Sequence, residues 1–424
     1  MFLTLLKKEG IQYIKSATYY IFLACLVLFF VSQMGVFSPV QKPEPGYEDY
    51  GEVRTTDKNL IMENVLEELI EEYSRGEYTT YPVGFYKKVV LDEEEQRMVA
   101  EGISVITGMS IEEINTLIAD YEEKVQAAIE EASKYEGPIM ESSLPAMEVS
   151  VKFGLSFQTF SEEMQKIDKL LGGGSSYNES SLQFTGKPAS YEEAMEEYES
   201  HIRDDKVTNA HARLFCDYMG ILLGFLPVIL AVTRGMRDKK AQAEQVIYTK
   251  KAGAFSVILS RYAAAVIMTL LPVVLLSCVT LVEAIYYAKH VGVAYDALAF
   301  VKYIGFWLLP IIMVSLSVGF FFTELTDSAV AILIQGVWWY VSVFMKAGDL
   351  VDCTGWNLIP RWNAVGQYAL FEQMKEELLR SRLFYAAMAL GLLFLTVFFY
   401  SKKRKGEFTS VGAKLFHRKS KLEA

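Results

Sequence analysis

The segment that decides the fold is RGMRDKKAQAEQVIYTKKAGAFSVILSR, residues 234–261, which lies between apolar runs at 214–233 and 262–285. It carries seven basic residues and only two acidic ones. Short loops rich in lysine and arginine stay on the cytoplasmic side of a membrane. We therefore expect the neighbouring runs to be membrane spans that are joined by a cytoplasmic loop.

Part of this loop has the pattern of a surface helix. Ala243, Val246 and Ile247 have the i, i+3, i+4 spacing of one helical face, and the residues between them are mostly polar. Gly253 is suited to ending such a helix, because glycine accepts the left-handed backbone of a helix C-terminus. Periodicity alone leaves two interpretations open. The helix either binds a soluble partner or lies on the membrane surface without one.

Charge is strongly segregated along the chain. Residues 37–212 contain 37 acidic and 15 basic residues, a net charge of −22, whereas the remainder has a net charge of +11. In a membrane protein, this asymmetry predicts that the acidic block is outside and the basic segments are inside. The block contains none of the four cysteines, so we expect it to fold without disulfides.

Six apolar stretches predict an all-α membrane protein with six transmembrane helices, at 17–36, 214–233, 262–285, 300–322, 328–345 and 383–400. Each approaches the ~20 residues that cross a bilayer. Residues 1–16 combine lysines with apolar residues and predict a cytoplasmic interfacial helix. The stretch 17–36 lacks a small-residue cleavage site, which favours an uncleaved span over a signal peptide. Six spans place both termini, including the tail 401–424, in the cytoplasm.

The acidic block, residues 37–212, is predicted to be a large, mainly helical extracellular domain. Ser110 with Glu113, and Ser190 with Glu193, have the spacing of capping boxes that begin helices. The glycine-rich stretch 171–181 predicts a flexible loop. Residues 346–382 predict a second, smaller extracellular segment, in which short re-entrant or surface helices are compatible with the sequence.

No catalytic constellation is evident in the sequence. The four histidines are scattered, and no glycine-rich loop ends in the lysine that a phosphate loop requires. We therefore predict no catalytic residue, no metal site, no cofactor of its own and no nucleic-acid partner. Asp217 and Glu283 lie near the outer ends of two apolar runs. Charge in lipid is costly, so both are candidates for a substrate path, and the alternative is that both are hydrated at the interface.

The chain resembles the permeases of type-2 ABC exporters. The resemblance lies in one span, a large outer domain and five further spans, with a basic loop after the second. At residue level, EQVIYTKKAG (244–253) followed by SRYAA (260–264) is similar to the loop of that family. The resemblance implies that this loop carries a coupling helix that docks into an ATPase subunit. Glu244 would be the acidic residue of the loop, and Val246, Ile247 and Tyr248 would be its apolar contact residues.

The resemblance implies a permease subunit in the plasma membrane, without an ATPase site of its own. It would work with ABC ATPase subunits in trans and with a second copy of itself or a paired permease. Its substrate would be an amphipathic or antimicrobial peptide, a drug or a lipid-like molecule. The alternative is a membrane sensor or cell-envelope interaction protein with an acidic, ligand-binding outer domain.

The charge segregation generates a prediction about topology. In a cysteine-free variant, a cysteine at Glu196 should react with an impermeant maleimide in whole cells, because it lies in the acidic block. A cysteine at Lys240 should react only after lysis, because it lies in the basic loop. Gel shift of the labelled protein measures both reactions, and the opposite pattern would exclude the six-span arrangement.

Overall fold

The computed structural model describes residues 1–47, 49–82, 85–132, 147, 149–344, 357–363 and 365–409. Parts of the predicted span 328–345, the segment 346–382 and the tail 401–424 lie outside these ranges. The chain is mostly helical, with 71% helix and 4% strand. It divides into a bundle unit, Met1–Glu44 with Met195–Ala424, and an inserted unit, Pro45–Ala194.

The described helices follow one another with short connections. They are α1 (Phe2–Ile14), α2 (Ala17–Met34), α3 (Lys58–Arg75), α4 (Glu93–Thr107), α5 (Ile111–Ala132), α6 (Phe157–Leu171), α7 (Tyr191–Arg203), α8 (Thr208–Leu223), α9 (Leu226–Lys240), α10 (Glu244–Tyr248), α11 (Ala254–Val291), α12 (Ala299–Tyr303), α13 (Leu309–Thr326), α14 (Val330–Phe344) and α15 (Tyr368–Arg404). The strands are β1 (Glu52–Thr55), β2 (Tyr78–Thr80), β3 (Lys87–Val89) and β4 (Thr185–Pro188).

The bundle unit contains the membrane-type helices. Four are long and apolar enough to cross a membrane: α2, α11, α15 and the continuous stretch Ala299–Thr326, in which a π-helical turn at Ile304–Leu308 joins α12 to α13. The pair α8 and α9 qualifies as a fifth if it is counted as one span with a bend of 41°. Helix α14 is apolar but has 15 residues. The helical class and the membrane character expected from the sequence are therefore confirmed.

The apolar run 214–233, predicted as one helix, is broken at Gly224. Pro227 stands in the first turn of α9, where it has no N–H with which to continue the hydrogen bonds of α8. The break frees backbone carbonyls, and α14 supplies donors for two of them. Gln335 Nε2 donates to the carbonyl of Gly224 at 2.6 Å, and Trp339 Nε1 donates to that of Ile221 at 2.7 Å. A broken span is tolerated in an apolar setting when neighbouring side chains satisfy it in this way.

Helix α13 is the centre of the bundle unit. It packs against α8, α9, α11, α14 and α15. Every residue from Pro310 to Phe320 except Met313 is buried, as expected for a helix that is apolar on all sides. A Cβ on Gly319 would lie 2.5 Å from the Cβ of Ala231, so glycine is required where α13 and α9 approach closely.

Two predicted boundaries differ from the observed helices. The predicted loop 234–261 is largely helical, because α9 continues to Lys240 and α11 begins at Ala254, leaving only 241–253 between them. Residues 368–382 of the predicted segment 346–382 belong to α15, which continues into the run 383–400. No glycine or proline interrupts 368–390, so the polar stretch and the apolar stretch form one helix.

The inserted unit packs α3, α4, α5 and α6 around its own apolar core. Fully or nearly fully buried members of that core include Leu66, Leu69, Ile103, Ile106, Phe160 and Met164. Two antiparallel pairs complete the unit: β1 with β4, in which Glu52 faces Pro188, and β2 with β3, in which Tyr78 faces Val89. Both predicted capping boxes are present as hydrogen bonds, with the Glu113 and Glu193 carboxylates accepting from the backbone N–H of Ser110 and Ser190.

The glycine-rich stretch 171–181 is ordered by burial, contrary to the flexible loop predicted for it. Gly172, Gly173 and Gly174 have φ values of +92°, +84° and +78°. This backbone turns the chain so that Tyr177 enters the core, where its hydroxyl donates to Glu72 Oε2 at 2.5 Å. Glu72 Oε1 accepts from the Thr79 N–H at 2.8 Å.

The separate core of the inserted unit generates a prediction about autonomy. A soluble fragment of residues 45–194 should fold without oxidants, because it contains no cysteine and its apolar residues pack among themselves. Circular dichroism should show helix as the main regular structure and a cooperative thermal transition. A folded fragment with a strand-dominated spectrum would contradict this assignment.

Candidate docking loop and its ionic base

The loop 241–253 carries a single short helix. Gln242 has a left-handed backbone, with φ of +51°, which turns the chain sharply after α9. Helix α10 has five residues and ends where the Thr249 hydroxyl donates to the carbonyl of Val246 at 2.9 Å. Gly253, predicted to end this helix, instead precedes α11 in an extended conformation. The surface helix is therefore present but is shorter than the sequence pattern indicates.

The apolar residues of α10 point in different directions. The Val246 residue is 60% exposed, whereas Ile247 and Tyr248 are half-buried, as is Glu244. The Tyr248 ring packs edge-to-face on Tyr400 of α15, with 5.6 Å between centroids. Burial raises the pKa of the Tyr248 hydroxyl. Tyr248 thus anchors α10 to the bundle unit, and Val246 is the apolar side chain left for a partner.

The end of α15 holds the second arm of the loop. Arg404 donates to the carbonyl of Lys250 at 2.6 Å and to that of Ala252 at 2.5 Å. A guanidinium has several donors in a fixed plane and can hold two carbonyls at once. The loop is therefore tied to α15 through both Tyr400 and Arg404.

A second set of ion pairs joins the ends of three helices beside the loop. Lys403 lies 3.2 Å from Glu324 and 2.8 Å from Asp327, and Lys239 lies 3.3 Å from Asp327. These residues come from α15, from α13 with the turn that follows it, and from α9. Lys403 and both acids have side chains that are less than a fifth exposed, so solvent screens their pairing less than that of surface pairs.

Beneath the loop lies a buried ionic cluster of Glu9, Arg234, Asp238 and Arg261. The Arg234 guanidinium contacts the Glu9 carboxylate at 2.5 and 2.7 Å and Asp238 at 3.1 Å. Arg261 pairs with Asp238, and its Nε lies 3.7 Å from Glu9. The cluster balances two positive and two negative charges and joins α1, α9 and α11. We call this cluster the ionic base.

The two candidate substrate-path residues have different surroundings. The Asp217 side chain is fully buried, pairs with Arg361 at 2.9 Å and accepts the Trp362 N–H at 2.6 Å. Glu283 is half-buried on α11. Among the described contacts, none joins the two acids. In this structure, the evident role of Asp217 is to fix the segment that follows Asn357 onto α8.

Several functional candidates were missed by the sequence analysis. The buried pair Asp205–Arg213 has two contacts of 2.5 Å, and Arg213 also donates to the carbonyl of Gly366 at 3.1 Å. Arg382 donates to the carbonyls of Leu358 at 2.8 Å and Asn357 at 2.5 Å. These arginines hold the described part of 357–367, a non-helical stretch, inside the bundle unit. Their position inside or beside apolar runs was the available signal.

The inserted unit has a cleft of about 720 Å³ on one side of α5. Polar and apolar side chains share its lining, which consists of Met109, Ser110, Glu112, Glu113, Thr116, Leu117, Asp120, Tyr121, Lys124 and Met147. Within the described ranges, no group of three or more His, Cys, Asp or Glu side chains is placed to hold a metal ion. The cleft therefore suits an organic or peptide ligand better than a metal.

The ionic base generates a prediction about stability. Arg234→Ala should lower the free energy of unfolding by about 3–5 kcal/mol, because it leaves Glu9 buried beside a weaker partner. The matched control is Arg380→Ala, which breaks the exposed Arg380–Glu376 pair and should cost at most ~1 kcal/mol. Denaturation in mixed micelles measures both. Glu9→Leu with Arg234→Leu should be milder than Arg234→Ala. Equal losses for Arg234→Ala and Arg380→Ala would exclude a structural role for the ionic base.

No protein-family model, no curated protein and no solved structure matches this chain. The resemblance to type-2 ABC exporter permeases therefore rests on the order of the apolar runs and on the residues of the loop. A function for the chain has to be argued from the geometry of its own side chains.

Proposed function

We propose that this chain is the membrane-embedded permease subunit of an ATP-binding cassette exporter. The observation that carries the proposal is the way in which loop 241–253 is mounted. It presents an exposed apolar residue, Val246, on a short helix that is fixed to the helix bundle on both sides. A loop built to receive force from a partner needs this combination of an exposed contact and a rigid mounting.

The proposed topology has six spans with both termini in the cytoplasm. Helices α8 and α9 form one bent span, α14 is the fifth, and the basic loop faces the cytoplasm with the ends of α9 and α15. The inserted unit lies outside the cell. The support for this arrangement is the positive-inside rule, applied to loop 241–253 and to the basic end of α15.

The ion pairs give a route by which motion of the loop would reach the spans. A push on α10 acts on α15 through Tyr400 and Arg404, on α13 through Lys403, and on α11 and α1 through the ionic base. Packed helices transmit displacement because their cores are dense and scarcely compressible. Closure of an ATPase pair would thus move several spans together.

The chemical energy must come from another chain. The sequence has no phosphate-binding loop, so ATP would be bound and hydrolysed by ABC ATPase subunits in trans. A second copy of the chain, or a paired permease, would supply the other half of the path. The net charge of −22 on residues 37–212 favours cationic, amphipathic cargo such as an antimicrobial peptide.

A second candidate function is a membrane sensor or cell-envelope interaction protein whose inserted unit binds a ligand. The cleft on α5 favours this alternative, because it combines carboxylates with apolar side chains. In that case, the loop would recruit a signalling protein. Identifying the soluble protein that co-purifies with the chain separates the two functions, since an ATPase supports the first and a kinase supports the second.

The docking hypothesis generates a prediction about Val246. Val246→Asp should weaken binding of the ATPase at least about tenfold, because an unpaired charge would replace a buried apolar contact at the interface. Ile247→Asp should act in the same direction. Pull-down and substrate-stimulated ATP turnover, from equal amounts of inserted protein, measure the effect.

The matched control is Gln245→Glu, which adds the same charge on the neighbouring exposed residue without removing an apolar side chain. It should change binding by less than about threefold, as expected for an exposed charge. If Val246→Asp binds the ATPase as well as the unmodified chain does, then α10 is not the coupling element.

A further inference from the structure

Helix α1 exposes a face that is divided into an apolar and a cationic sector. Its exposed residues lie on one half of the helix, at 100° per residue. Leu3, Ile11 and Ile14 are 74%, 41% and 51% exposed and occupy one side of this half. Lys8 and Lys15 occupy the other side and are also exposed. Such a division suits a helix at a membrane surface, where apolar side chains enter the acyl region and lysines meet the headgroups.

The acidic residue of α1 is turned away from this face. Glu9 is 8% exposed and is neutralised by Arg234 and Arg261 in the ionic base. No carboxylate of α1 therefore opposes a negatively charged surface. The buried half of the helix rests on α11, where a Cβ on Gly10 would lie 4.0 Å from Met268.

A third cation extends the lysine sector. Arg237 of α9 is exposed and donates to the carbonyl of Gln12 at 3.5 Å, a long hydrogen bond. Gln12 is one turn from Lys8 on the same side of α1, so Arg237 lies beside the lysines. Lys8, Lys15 and Arg237 thus form a cationic strip along the border of α1.

We propose that this strip binds the headgroups of anionic phospholipids. The apolar sector of α1 anchors the helix among the acyl chains, and the three cations neutralise phosphate groups beside it. The inference depends on α1 lying at the membrane surface and requires neither an ATPase partner nor a transported substrate. Because the ionic base joins α1 to α9 and α11, lipid bound here contacts the elements that carry loop 241–253.

The test uses the full chain in nanodiscs. Its native cysteines are replaced, and a fluorophore is placed on Thr4→Cys, an exposed position beside the lysine sector. Quenching by brominated phosphatidylglycerol is compared with quenching by brominated phosphatidylcholine. A cation near an anionic surface contributes roughly a fivefold preference. The relative association constant of the anionic lipid should therefore be at least about five.

The variants make the result specific. Lys8→Gln with Lys15→Gln and Arg237→Gln should reduce the relative constant to about one, as expected when the cations of the strip are removed. The control, Lys402→Gln with Lys405→Gln, removes lysines at the end of α15 and should leave it unchanged. Excess water-soluble glycerol phosphate should not reduce quenching. Equal quenching by both lipids, a preference that survives the triple variant, or competition by glycerol phosphate would each overturn the proposal.

Discussion

The buried cluster of Glu9, Arg234, Asp238 and Arg261 is the interaction on which the organisation of the bundle unit around its loop depends. Four charges taken out of water are costly unless each is paired at good geometry. The two carboxylates and two guanidiniums meet this condition only when α1, α9 and α11 come together in one register. The cluster therefore fixes where α9 ends and α11 begins, and loop 241–253 is held between those two points.

A second constraint acts on the other half of the bent pair. The break between α8 and α9 leaves carbonyls that an apolar environment cannot satisfy, and Gln335 and Trp339 supply the missing donors. This gives the short helix α14 a structural purpose besides apolar packing. On the same side of α8, Asp217 and Arg382 hold the described part of 357–367 by charge-assisted hydrogen bonds.

The proposed function depends on how the loop is mounted as well as on its sequence. The resemblance assigns Val246, Ile247 and Tyr248 to one contact patch, whereas the structure directs Tyr248 towards Tyr400. The surface available to a partner is therefore smaller and centred on Val246. The strength of the coupling would come from Arg404 and Lys403, which attach the loop region to the spans, and from α1, which lies between the ionic base and the proposed lipid contact.

The sequence by itself determined the features that depend on local pattern. Apolar runs, the capping pairs Ser110–Glu113 and Ser190–Glu193, and the basic character of 241–253 are properties of nearby residues, so composition and periodicity reveal them. Only the tertiary structure decided which charges meet. Glu9 and Arg234 are 225 residues apart, and no local pattern distinguishes a buried pair from two solvated charges. The burial of Tyr177 and the inward turn of Tyr248 have the same cause, because each depends on a side chain from a distant element, Glu72 or Tyr400, that the local sequence does not contain.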